Sequence, residues 1–294
     1  MSTFANPEII ELLKSRFITV AIDQAYQRRQ QDDEGDFYRQ LAGQSPRNNF
    51  NGTTQGLYVG TADGKLLGFT NHRGPDRVKQ TLTQALDKFK PAEFTPPEAK
   101  RFDPRWTYQP PKDGLVVRVT AKVLGGYEPT DDMWRKAFQE SLSRDNLWVT
   151  ADEHKGLVAG KLSSSLANRI ARFHLVDNTR GEPPMWEQAD VKSLKLTLAD
   201  GRISGTFHLE TADGKRGFQG NLLGLVETEN KQVTRFDVVA RGEYWGEGTF
   251  TGGVPKGKFP FAVAMTLSDG KDEADKVRPQ ASRGWVDGYL RSER

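Results

Sequence analysis

VKSLKLTLADGRISGTFHLETADGKRGFQGNLLGLVETENKQVTRFDVVARGEYWG, residues 191–246, is the stretch on which the fold turns. Apolar and polar residues alternate through it in short runs, as a strand with one face in a core and one in water requires. Asp200-Gly201 and Asp213-Gly214 interrupt the runs. An Asp-Gly pair tolerates the positive φ of a tight hairpin turn, so each pair predicts one. The whole stretch therefore reads as consecutive antiparallel strands. In its last part, TRFDVVARGEYWGEGTF, the residues Phe236, Val238 and Ala240 form an apolar face. Arg235, Asp237, Val239, Arg241 and, if the extended chain continues, Glu243, Trp245 and Glu247 form the other.

The same pattern extends outward. GLVVRVTAKVL gives a half-buried strand from Leu115, and KFPFAVAMTLSDG supplies a late one. Asp132 to Leu142 predicts a helix with Trp134, Phe138 and Leu142 on one face. Residues 115–294 are thus expected to form an antiparallel β-rich domain, either a sandwich or a partly closed barrel. The repeated ADG tripeptides are hairpin turns, because a calcium loop needs more oxygen ligands at fixed spacing.

The first 92 residues are organised differently. Asn6 and Pro7 open a helix through Ile9, Ile10, Leu12 and Leu13. FITVAID, residues 17–23, reads as a buried strand, and Phe37 to Leu41 as part of a helix. GLYVGTADGKLLGFT is a hairpin around Asp63-Gly64. PDRVKQTLTQALDKFK closes the region as a helix with Val78, Leu82, Leu86 and Phe89 on one face. The proline-rich residues 93–114 form an extended linker, with Trp106 and Tyr108 expected to pin it to a domain surface.

FANPEIIELLKSRFITVAID resembles the second helix and central strand of thioredoxin-like proteins, and GLYVGTADGKLLG resembles their following hairpin. The resemblance implies a partial thioredoxin-like α/β region over residues 1–92, joined to the β-rich domain in an α+β chain. It departs from the family pattern in three ways. No redox dithiol is present, the chain begins where the family's second helix begins, and Thr53, Thr54 and Gln55 stand where the family places its cis-proline. RFHLVDNTRGEPPMW and TRFDVVARGEYWGEGTF resemble stretches of a family of bacterial two-domain proteins that set such a region ahead of a β-rich domain. That resemblance implies the architecture and no activity.

Composition narrows the chemistry. Among 294 residues there is no cysteine, which excludes disulfides, thiolate metal sites and a cysteine nucleophile. The net charge of +3 is spread without a basic block, so nucleic acid is not an expected partner. No apolar run is long enough to span a membrane, and MSTFANPEIIELL lacks the features of a signal peptide, so a soluble chain is expected and its compartment is left open. The serines at 163–165 lack the nucleophile-elbow context, and GLVAGK lacks the phosphate-loop pattern.

RFHLVDNTRGEPPMW, residues 172–186, carries the densest polar chemistry. Read as a strand, it points Arg172 and His174 to one face before the chain turns at Asp177-Asn178. If it lies beside the strand holding Asp237, the candidate acid–base residues His174, Asp237 and Glu243 converge. Asp177, Arg180, Glu182, Trp186, Arg235, Trp245 and Glu247 would line a ligand-binding rim. Glycines 242, 246 and 248 would let a ligand approach the backbone or bend the strand. The four histidines, at 72, 154, 174 and 208, show no metal-ligand spacing, so metal ligands are unassigned. No organic cofactor is expected, and a divalent metal assembled with carboxylates stays open. Two functions follow. One is a non-redox ligand-binding or interaction protein for a small polar or anionic ligand or a protein partner, with a homo-oligomer left open. The other is a hydrolase using Asp237 and Glu243 as acid and base, with His174 as proton carrier or metal ligand.

Overall fold

Asn6 accepts hydrogen bonds from the amides of Glu8 and Ile9, at 3.0 and 3.3 Å, and starts helix α1, Pro7–Arg16, as its sequence requires. The computed structural model describes residues 3–95, 97–98, 100–105, 108–282 and 285–292. Residue contacts divide the chain into two units, 1–107 and 108–294. In the first, α1 is followed by α2 (Gln24–Gln27), α3 (Asp33–Gly43), β1 (Leu57–Gly60), β2 (Leu66–Thr70) and α4 (Pro75–Lys88). The hairpin forms around Gly64, whose φ is +82°. Ile9 of α1 and Val78, Leu82 and Ala85 of α4 share a small core with Val59 and Leu67. Tyr38 of α3 packs edge-on to Tyr58.

Two expectations fail here. FITVAID forms no strand and, among the described residues, pairs with none; the unit's sheet consists of β1 and β2. Helix α4 ends at Lys88, which leaves Phe89 exposed as its C-cap rather than on the buried stripe. Part of the expected linker is also held in place: the amides of Lys100 and Arg101 donate to Asp33 Oδ2 at 2.7 and 3.0 Å. Trp106 lies outside the described residues. Tyr108 belongs to the second unit, where it packs against Trp148, Phe173, Val286 and Tyr289.

The second unit runs β3 (Leu115–Val123), α5 (Met133–Glu140), β4 (Asp145–Val149), α6 (Ala151–Val158) and α7 (Ser164–Arg169). It continues through β5 (Val191–Ala199), β6 (Arg202–Glu210), β7 (Gly217–Glu229), β8 (Gln232–Trp245), β9 (Lys258–Leu267) and α8 (Val286–Arg291). The seven strands make one antiparallel sheet in the order β4-β3-β9-β8-β7-β6-β5, curled into a half-barrel. The molecule is thus α+β with a β-rich domain, and the partly closed barrel is the form adopted. Asp200 and Gly201 have φ of +50° and +70°, the pair of left-handed residues a type I′ turn needs. Asn230 and Lys231, at +51° and +60°, make a second such turn between β7 and β8. Helix α5 forms as expected, but Trp134, Phe138 and Leu142 remain exposed.

Inward-facing Phe236, Val238, Ala240 and Tyr244 of β8 join Phe218, Phe261 and Met265 in the main core. The concave side is filled by Leu157, Leu166, Ile170 and Leu175 from the helical segment between β4 and β5. Ser163 caps α7 by accepting from the Leu166 amide at 3.1 Å. The helix then widens into a π-helical turn, Ile170–His174, closed by the Leu175 amide on the Ile170 carbonyl. The expected strand at RFHLV is therefore a helix. Leu166, Ala167, Ile170 and Ala171 repeat at helical spacing, and that period starts upstream of the stretch read as a strand. Downstream of β9 the chain folds back on β3 and β4. Asp275, itself buried, takes Arg118 at 2.8 Å and Arg144 at 2.6 Å.

Candidate functional site

Three basic side chains ride on the helical segment inside the half-barrel: Arg169, Arg172 and His174, all buried. An unmatched buried charge costs several kcal/mol, roughly 3–5 when a partner is removed, so each needs partners. Arg169 donates to Glu153 Oε2 at 2.6 Å and to the carbonyls of Trp148 and Tyr289 at 3.2 and 3.0 Å. Arg172 donates to the carbonyls of Trp186 and Ser292 at 3.0 and 3.3 Å, and burial lowers its pKa. His174, 2% exposed, places Nε2 2.7 Å from the Tyr289 hydroxyl. Its Nδ1 lies 3.2 Å from Asp145 Oδ2, within ion-pair reach but off the line a hydrogen bond needs. Burial raises the Tyr289 pKa well above its ordinary value. The phenol therefore keeps its proton, and the tautomer of His174 decides which of the hydroxyl and Nε2 donates in their hydrogen bond.

The following loop uses its polar residues in the same way. Asp177 accepts from the Thr179 amide and hydroxyl, at 3.1 and 2.7 Å, and pairs with Arg180. Arg180 reaches the Tyr127 hydroxyl at 2.6 Å. Trp186 is fully buried; its indole N–H donates to the Leu175 carbonyl at 2.8 Å, and the Arg216 guanidinium stands 4.0 Å above its ring. Glu182 is half-buried in this loop. Of the residues expected to rim a site, Asp177, Arg180 and Trp186 are ties that hold residues 177–186 in place.

Asp237 and Glu243 lie elsewhere, on the outer face of β8. The strand's alternation is as expected, with Tyr244 and the apolar residues inward. His174 does not join them, because its segment is an interior helix and the neighbours of β8 are β7 and β9. Nor do the two acids meet. They are six residues apart on one strand, about 20 Å at roughly 3.3 Å per residue. Asp237 instead pairs with Arg235 at 2.5 Å, and Arg235 also takes Glu227 at 2.9 Å. Glu247 lies in the loop beyond Gly246 and accepts from the Gly253 amide at 3.1 Å. Gly242 faces Gly220 across the ladder, so there its role is strand curvature.

Around Glu243 the outer face assembles a polar patch that the sequence reading caught only in part. Strand register aligns Pro260, Glu243, Gln219 and His208 in one row, with Lys258, Trp245, Gly217 and Glu210 in the next. Gln219 Nε2 donates to Glu243 at 3.3 Å, Lys258 Nζ is 3.8 Å from the same carboxylate, and His208 meets Glu210 at 2.8 Å. The half-buried Trp245 ring lies over Gly217, where a Cβ would come within 2.1 Å of it. Its indole N–H is fixed on the Gly214 carbonyl at 3.0 Å, and the Lys258 ammonium sits 4.6 Å from its centroid. Gln219, Lys258 and Glu210 were not anticipated. Counting back from a turn at Asn230-Lys231 sets Gln219 beside Glu243 to within one position, so the signal was the turn.

Among the described residues no three histidine, aspartate or glutamate side chains gather so as to hold a metal ion. A shallow cleft of about 490 Å³ in the first unit, lined by Phe69, His72, Arg77, Gln80 and Gln84, contains none of the expected site residues. No described helix is long and apolar enough to cross a membrane. Comparison with protein families, curated proteins and solved structures gives no match for this chain.

Proposed function

We propose that this is a non-redox binding protein whose β-rich unit takes a small polar or anionic ligand on the outer face of its sheet, around Trp245 and Glu243. The observation that carries the reading is the fixed Trp245 ring, set on Gly217, with the Lys258 ammonium over it and Glu243 and Gln219 in the neighbouring row. An aromatic platform ringed by donors and acceptors suits a ligand that is flat on one side and polar at its edge. In this reading the cysteine-free first unit, with its helices and single hairpin, is a scaffold.

Hydrolysis by Asp237 and Glu243 draws less support. Two carboxylates acting across a glycosidic bond stand roughly 5–10 Å apart, about half or less of the spacing along β8. The experiment is a thermal-shift titration with inorganic phosphate, citrate and simple saccharides. A ligand at a hundredfold excess over its Kd adds about 2.7 kcal/mol, or roughly 5–10 °C for a unit of this size. The shift is expected with the parent and with Asp237→Asn, and lost in both Trp245→Ala and Glu243→Gln. A shift that survives in both, or no shift with any of these ligands, rejects the assignment.

A further inference from the structure

Between α1 and α2 the chain leaves five residues, Ile18-Thr19-Val20-Ala21-Ile22, standing in water. Ile18 is 96% exposed, Val20 75% and Ile22 43%. Among the described residues none of their backbone groups has a hydrogen-bond partner. The segment is nevertheless extended where it begins and ends, with φ, ψ of −135°, 151° at Phe17 and −88°, 101° at Asp23. Helices fasten both ends, so much of the ordering entropy of a strand is already lost. Three branched apolar side chains at alternate positions, on a backbone extended at both ends whose amides and carbonyls from Ile18 to Ile22 are unpaired among the described residues, make a template for strand pairing.

We propose that two copies of this chain associate by antiparallel pairing of Phe17–Asp23 about a two-fold axis at Val20. The pattern is self-complementary in that register. Val20 meets Val20 of the second copy, Ile18 meets Ile22, and Thr19 meets Ala21, so all six branched apolar side chains share one face. Charge selects the same direction. Lys14 and Arg16 precede the segment and Asp23 closes it, so antiparallel pairing lays the basic end of one copy beside the acidic end of the other. Parallel pairing would set like charges together. The contact is small against the roughly 800 Å² per partner of a stable interface, so the association is reversible and depends on concentration.

The test is sedimentation of the full chain over a range of concentrations, with the mass expected to double as concentration rises. Val20→Lys places two ammonium groups at the axis and is expected to leave a monomer with an unchanged melting temperature, since Val20 is exposed. The absence of native cysteine permits a register check. Directly opposed strand residues have Cα atoms about 4.5–5.5 Å apart, within disulfide reach. Val20→Cys alone should therefore cross-link on mild oxidation, Ile18→Cys or Ile22→Cys alone should not, and a mixture of those two should. A mass that stays monomeric at every concentration overturns the proposal. So does a dimer that persists in Val20→Lys, or one in which Ile18→Cys alone cross-links as readily as Val20→Cys.

Discussion

Asp275 shows how a single carboxyl can carry a pH dependence. Hydrogen bonding to Arg118, helped by Ser268 and Arg144, holds its pKa at about 2, below the ordinary 3.8. A carboxyl depressed in the folded state stabilises that state fully above its unfolded pKa, and the contribution disappears as pH falls through the folded one. Resistance to urea is therefore expected to decline between about pH 4 and pH 2. Asp275→Asn should be less stable at pH 7 and show a shallower decline over that window, which denaturation at pH 7, 4 and 2.5 would measure. At this scale the sequence was legible only in part. It flagged His174, Asp177, Arg180 and Trp186 as unusual, and they are, yet as buried ties. The acids Asp237 and Glu243 stand six positions apart on β8, a spacing that does not bring their side chains together.

Among the elements, the strands were the most legible and the helical segment of residues 164–174 the least. Alternation in residues 191–246 showed a run of antiparallel strands, and the Asp-Gly pairs marked the turns at either end of β6, because strand period and turn chemistry are local properties. Arg172–Val176 was misread because five residues are too few to separate a period of 2 from one of 3.6 in a segment buried on all sides. Curvature is a property of the strands as well. Gly242 lies opposite Gly220, and a Cβ added at residue 242 would stand 1.9 Å from the Gln219 carbonyl oxygen. Gly242→Ala should force β7 and β8 apart and cost about 1–3 kcal/mol in a urea melt, with the far-ultraviolet spectrum little changed. If the substitution is neutral, the close approach of the two strands is not needed for the curl.

Over the whole molecule, the two units have separate hydrophobic clusters, with Ile9, Val78 and Leu82 in one and the half-barrel interior in the other. A fragment spanning 108–294 is expected to unfold in one cooperative transition when expressed alone, as calorimetry would show; a broad transition would mean that the half-barrel depends on the first unit. The change from helical periods to strand alternation across the proline-rich residues was visible in the sequence. The unpaired FITVAID segment was not, because an apolar β-branched run reads as a buried strand whether or not the chain supplies its neighbours.

The arginines of the interior helix also set a timetable for synthesis. Arg169 and Arg172 reach acceptors at residues 289–292, 120 positions further along the chain. At a translation rate of about 5–20 residues per second, their partners follow on the order of 10 s later. Until then Arg169 has only Glu153 and the Trp148 carbonyl, and Arg172 only the acceptors near Trp186, so neither guanidinium has its full set of partners for leaving water. The half-barrel cannot close on its helical filling at the ribosome before those residues emerge, and a nascent chain stalled short of Tyr289 should remain open to protease.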